Sequence, residues 1–232
     1  MAEHLTDEQQ LESLKHWWKE NGMQLVLIVA LSIGGWYAWQ QWQGNKKAKV
    51  EMGSLVYIEM MDLASKAPLS DLPDEQREAM VEKSQVLKND YANTQYAHYA
   101  GLLLAKLAVA EKRLDDAAEE LQAVIDNTGG EELSYIASMR LARLEMDRKN
   151  YSKALQLLEG DTPPAILPSV AELRGDIHLF AGDQSAARAA YQSALDALGS
   201  DDQRLRALLE LKLNQVMSAP VGTSDVSVGG ES

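Results

Sequence analysis

Hydrophobic and polar positions divide the chain into two regions. Between Asn21 and Asn45 there is no Asp, Glu, Lys or Arg. Met23 to Trp42, wound as a helix, covers about 30 Å, the thickness of a bilayer's hydrocarbon core. All five tryptophans lie at the ends of this stretch: Trp17 and Trp18 before it, Trp36, Trp39 and Trp42 at its far end with Tyr37. Indole and phenol rings favour membrane interfaces, where an apolar body and a polar tip are both satisfied. The pattern predicts one transmembrane helix over residues 23–42, with Trp17, Trp18, Trp36, Tyr37, Trp39 and Trp42 at the interfaces. The exit carries bulky aromatics in place of small residues, and the region before the span is not basic. It therefore reads as an uncleaved anchor rather than a signal peptide.

Beyond Lys46, Ala, Leu, Glu, Gln and Lys dominate and β-branched alternation is missing, which predicts helix throughout. Val50–Ala67 continues out of the membrane helix, Pro68 and Pro73 bracket a turn, and Asp74–Asn89 is a second helix. The next segment repeats. With Ala117, Ala154 and Ala187 in register, a small residue stands twelve positions upstream of each: Ala105, Ala142 and Gly175. A large one stands four downstream: Leu121, Leu158 and Tyr191. The spacings are 37 and 33 residues. Small residues let antiparallel helices cross closely, and a large one then plugs the next unit. This is the pattern of tetratricopeptide repeats. The third unit matches best; in the second, Glu145 stands at an aromatic position and Asp161 at a small one. An unrelated bundle with alanine-rich interfaces is the competing arrangement. Asn150 and Asp183 are placed to N-cap second helices, and Ser200–Gln203 has capping-box spacing. Leu205, Leu208, Leu209 and Leu213 form the stripe of a terminal capping helix. The fold expected is all-α: a single N-terminal transmembrane helix followed by a tetratricopeptide-repeat-like α-solenoid. Its divisions are an N-terminal tail (1–22), the span (23–42), a membrane-proximal helix pair (43–93), the repeat domain with its cap (94–217) and a disordered tail (218–232).

The formal charge is −13. Five acids and five bases cancel in the first 50 residues, so the whole −13 belongs to residues 51–232. Such a domain repels phosphate, which argues against nucleic acid as a partner. With no cysteine, disulfides, thiol catalysis and thiolate metal sites are excluded. None of the four histidines has a second histidine four positions away, and no phosphate loop or nucleophile motif occurs. No catalytic residue, metal or cofactor is expected; the chain does not read as an enzyme. A binding surface remains. Counting from the small residues, first-helix positions that line a repeat groove are Tyr99, Leu102, Lys106 and Val109, then Ile136, Met139, Arg143 and Met146, then Leu179 and Phe180. Their apolar character suits extended or unfolded polypeptide. Alternatively, the helices of residues 50–90 fill the groove. Lysines flank the span two before and three after, which gives no firm direction across the membrane.

The segment Leu14-Lys15-His16-Trp17-Trp18-Lys19-Glu20-Asn21-Gly22, the span closing on Gly35-Trp36-Tyr37-Ala38-Trp39, and Leu173-Arg174-Gly175-Asp176 resemble the YfgM family of Gram-negative bacteria, ancillary subunits of the SecYEG translocon. The resemblance implies an inner-membrane protein with its N-terminus in the cytoplasm and its C-terminal domain in the periplasm. It implies association with SecYEG and the foldase PpiD, and a scaffold or chaperone-adaptor role for translocated polypeptides. It brings no catalytic residues. The alternative is an anchored repeat adaptor that faces the cytoplasm and recruits soluble partners.

Overall fold

The computed structural model describes residues 7–128, 132–199 and 202–218. Nine α-helices are present among them. The first, α1 (Asp7–Ser65), is unbroken through the apolar stretch and far beyond it. Within α1, Leu14–Ser65 is the one segment among the described residues long and apolar enough to cross a membrane. The side chains from Met23 to Val50 are exposed to the surroundings, as an anchor needs and a core helix does not.

A 3-10 turn, Leu69–Asp71, starts at Pro68, which has no N–H to donate to a continued helix and whose ring disfavours helical backbone at Ala67. The helix α2 (Asp74–Asp90) follows Pro73, with Asp74 and Glu75 in its first turn facing the positive end of the helix dipole. Met60 of α1 joins Leu72, Met80, Leu87, Ala100 and Leu107 in one buried cluster. The end of α1, then α2 and α3 (Gln95–Ala110) therefore share a core.

Three helix pairs stack from there: α3 with α4 (Leu114–Thr128), α5 (Glu132–Asp147) with α6 (Tyr151–Gln156), and α7 (Leu167–Phe180) with α8 (Gln184–Ala197). The paired small residues sit at the crossings: Ala105, Ala117, Ala142, Ala154 and Ala187 are all buried. The turns inside the pairs are copies of one another. Lys112, Lys149 and Gly182 all have left-handed backbone, at φ 61°, 65° and 87°. The next residue in each case, Arg113, Asn150 or Asp183, donates its N–H to the carbonyl five positions back, at 2.8, 2.8 and 2.9 Å. This is a Schellman-type helix stop. Glycine serves it in the third unit only; in the other two a lysine takes the left-handed conformation.

The expected caps are met in part. Asp183 does accept from the N–H of Ala186, at 2.9 Å. Asn150 takes the N-cap position of α6 as expected but makes no side-chain cap bond there; its amide donates to Glu145 Oε2 at 2.8 Å. At α9 (Gln203–Ser218), the cap is Asp202, which accepts from the N–H of Leu205 at 3.0 Å; Ser200 and Asp201 lie outside the described residues, as does the tail from residue 219. The stripe of α9 is also shifted. Leu209 and Val216 enter the last core cluster, Leu205 and Leu213 pack at its edge, and Leu208 is exposed.

The second repeat is the irregular one. Its helix α6 is only six residues long, and Asp161 lies in the loop that follows rather than on a helix. Glu145, at the aromatic position, is completely buried. Its carboxylate accepts from Lys153 Nζ and Asn150 Nδ2, each at 2.8 Å, with Arg148 Nη1 at 3.4 Å. It ties the short α6 and its turn back to α5.

Candidate functional site: a basic cleft between two repeats

The gap between α3 and α5, floored by α4, forms a cleft of about 380 Å³. Leu102 and Ala105 of α3, Leu121 of α4 and Leu144 of α5 are buried and supply its apolar floor. Val109 and Leu114 stand exposed at its mouth, 47% and 36% accessible. Lys106 projects from α3, and Arg140 and Arg143 project from α5, with Asp147 as the single carboxylate. Arg140 and Arg143 are three positions apart on one helix and share a face. None of the three cations forms an ion pair among the described residues. By contrast, Arg77, Lys83, Lys88, Arg113, Arg148, Lys153 and Lys212 are all held by carboxylates.

The expected groove residues divide accordingly. Leu102, Lys106, Val109 and Arg143 line this one cleft. Tyr99 does not; its ring lies 5.7 Å from Tyr57 of α1 and 6.2 Å from Tyr96, so α1 covers that end of the surface. Ile136 packs against the first repeat's core. Met139 and Met146 are partly buried and pack against the cluster of Ala142, Ala154, Leu158, Val170, Leu173 and Ile177, which corrects them from open groove to the edge of a core. Leu179 packs on the last cluster, while Phe180 is 66% exposed at the end of α7. Arg140, Leu114 and Leu144 were missed by counting, since consensus positions name only one stripe of each first helix. The aromatic residues assigned to the interfaces, Trp17, Trp18, Trp36, Tyr37, Trp39 and Trp42, are all exposed on α1, and Lys46 Nζ sits 3.8 Å from the centre of the Trp42 ring.

A second polar assembly lies at the far end of the stack. Lys212 of α9 donates to Glu172 and Asp176 of α7 at 2.7 Å each, and Tyr191 of α8 donates its hydroxyl to Asp176 at 2.7 Å. Burial first, and the Asp176 carboxylate next, push the Tyr191 phenol above its usual range. Burial pulls the Lys212 ammonium down, but Asp176 and Glu172 together outweigh it, and the net direction is up. One ammonium is shared by two carboxylates, and Asp176 also accepts from Tyr191, so this assembly fastens α7, α8 and α9 together through mutually bonded groups. Among the described residues, no group of three His, Cys, Asp or Glu side chains could hold a metal.

The comparisons with known proteins agree with this architecture. The chain is 29% identical over 217 residues to the ancillary SecYEG translocon subunit of Aggregatibacter actinomycetemcomitans, covering 93% of this chain and 100% of that protein. It is 27% identical over 218 residues to the protein of the same name from Haemophilus influenzae, again over 93% and 100%. It is 28% identical over 207 residues to that of Escherichia coli, over 89% and 95%. The family model described as a tetratricopeptide repeat-like domain matches residues 15–218, from the tryptophan-flanked anchor to the end of α9. The chain thus belongs to the tetratricopeptide repeat-like domain family.

Proposed function

We propose that this protein is a non-catalytic, membrane-anchored scaffold at the SecYEG translocon. The observation that carries the reading is likeness over 89–93% of the chain to proteins named ancillary SecYEG translocon subunits. In this reading, residues 23–42 cross the inner membrane, 1–22 lie in the cytoplasm, and the repeat domain stands in the periplasm. The protein associates there with SecYEG and with PpiD, and the repeat surface holds segments of newly translocated polypeptides. Just beyond the span, Met52, Leu55, Ile58 and Met61 stay exposed on α1. The opposite side of α1 here packs on α2 and α3, so this exposed apolar stripe suits contact with a membrane-embedded partner. Tethering raises local concentration, so weak contacts by the repeat surface suffice.

The five lysines around the span keep a second reading in view, a repeat adaptor facing the cytoplasm. Paired fusions separate the two. Alkaline phosphatase joined after residue 218 is expected to be active, and a cytoplasm-dependent fluorescent reporter at the same position dark. The reverse pair would establish the cytoplasmic adaptor instead.

A further inference from the structure

We infer that the cleft between α3 and α5 is a selective site for extended polypeptide segments that carry carboxylates next to apolar side chains. The inference rests on the scaffold reading above and names the chemistry of what the scaffold holds.

Residues 51–232 carry the whole −13, so an unpaired cation in this domain has many acids available to it. Lys106, Arg140 and Arg143 nevertheless converge on one cleft with no ion pair among the described residues. Asp147 is the only acid lining the cleft, which leaves it with a net charge of about +2. Guanidinium groups are suited to carboxylates because their planar donors can bind both oxygens.

Shape and polarity then narrow the ligand. At about 380 Å³, the cleft admits a few side chains rather than a folded surface. Its floor is Leu102, Ala105, Leu121 and Leu144, and its mouth is Val109 and Leu114. A purely acidic segment would leave that floor wet; a purely apolar one would leave three cations unmatched. A segment combining both satisfies each. The cations stand on both walls, one on α3 and two on α5, so a chain lying along the gap meets positive charge on either side. Long-range repulsion from the rest of the domain further disfavours acidic ligands elsewhere on the surface.

The test uses the full chain in neutral phosphatidylcholine nanodiscs. The probes are three fluorescein-labelled peptides of alternating leucine and aspartate, leucine and asparagine, or leucine and lysine. Binding is read by anisotropy. The aspartate peptide is expected to bind about tenfold tighter than the asparagine one at low salt, weakening as salt rises. The pair Arg140→Glu and Arg143→Glu should abolish that preference and favour the lysine peptide. Lys106→Gln, a milder change at an exposed position, should weaken aspartate-peptide binding in the same direction. Arg188→Glu with Arg204→Glu changes net charge equally, away from the cleft, and should leave the preference standing. Equal binding of all three peptides, or loss in the distant pair as great as in the cleft pair, would overturn the inference. So would binding that occurs only after residues 219–232 are removed, since the occupant would then be the chain's own tail. SecYEG co-elution is measured on the same variants. Its absence with peptide selectivity intact would refute the scaffold reading alone; its presence with selectivity absent would refute the cleft alone.

Discussion

Gly175→Ala is expected to destabilise the repeat domain by about 3 kcal/mol, the upper part of the range for overpacking a core. A Cβ on Gly175 would lie 2.3 Å from Tyr191 Cε1 and 2.4 Å from Cδ1, distances no packed structure accommodates. The ring cannot easily retreat. Tyr191 is completely buried, and its hydroxyl is fixed to Asp176, which Lys212 also holds. Relieving the clash means separating α7 from α8 or breaking this assembly. Thermal melting should register a loss on the order of 10 °C. Gly199→Ala, where nothing lies within 4 Å of the added carbon, should be nearly neutral. Combining Gly175→Ala with Tyr191→Leu should recover part of the loss, since the smaller side chain vacates the contact. A Gly175→Ala protein as stable as the parent would mean the two helices do not meet as described.

Glu145 carries the second large effect, and it depends on pH. Burial pushes its carboxyl up, but donation from Lys153 and Asn150, with Arg148 nearby, outweighs burial and holds it below the usual carboxylate range. A carboxylate depressed in the folded state stabilises it above the unfolded pKa, about 4.3. That stability is lost as pH falls through the lower folded value. Glu145→Gln should therefore cost about 1–3 kcal/mol at pH 7 and progressively less on acidification below about pH 4.3. The lower half of that range is expected, because Lys153 is half exposed and can turn to water. Melting curves of both proteins from pH 7 to pH 3 provide the check. A gap between them that stays constant throughout would show that the buried carboxylate contributes nothing through its charge.

What the sequence revealed and what it hid have physical reasons. The anchor was legible because an uncharged run of bilayer length has few other uses. The repeat register was legible because Ala105, Ala142 and Gly175 must be small where helices cross. The left-handed turns at Lys112 and Lys149 were not, since lysine is an unusual choice where φ is positive and carries no local signature. The groove was half legible. Counting positions from the small residues assumes that successive pairs stack regularly, but the short α6 breaks that regularity. Here α5 packs on both the short α6 and α7, and Met139 and Met146 join the core cluster that the three share. The neighbouring gap, between α3 and α5, stays open as the cleft. Tyr99 was lost to the groove for a separate reason: Tyr57 arrives from α1, more than forty residues earlier, and no short-range pattern announces that meeting.

The central claim is that the anchored chain works beside SecYEG. The most direct measurement is affinity purification of the full-length tagged protein from gently solubilised membranes, followed by quantification of the SecY, SecE and SecG subunits. Co-elution well above that of an unrelated single-span protein at matched expression is expected, reduced when Leu55 and Ile58 on the exposed face of α1 are both changed to Glu. Recovery of the translocon subunits no greater than with the unrelated protein would contradict the account.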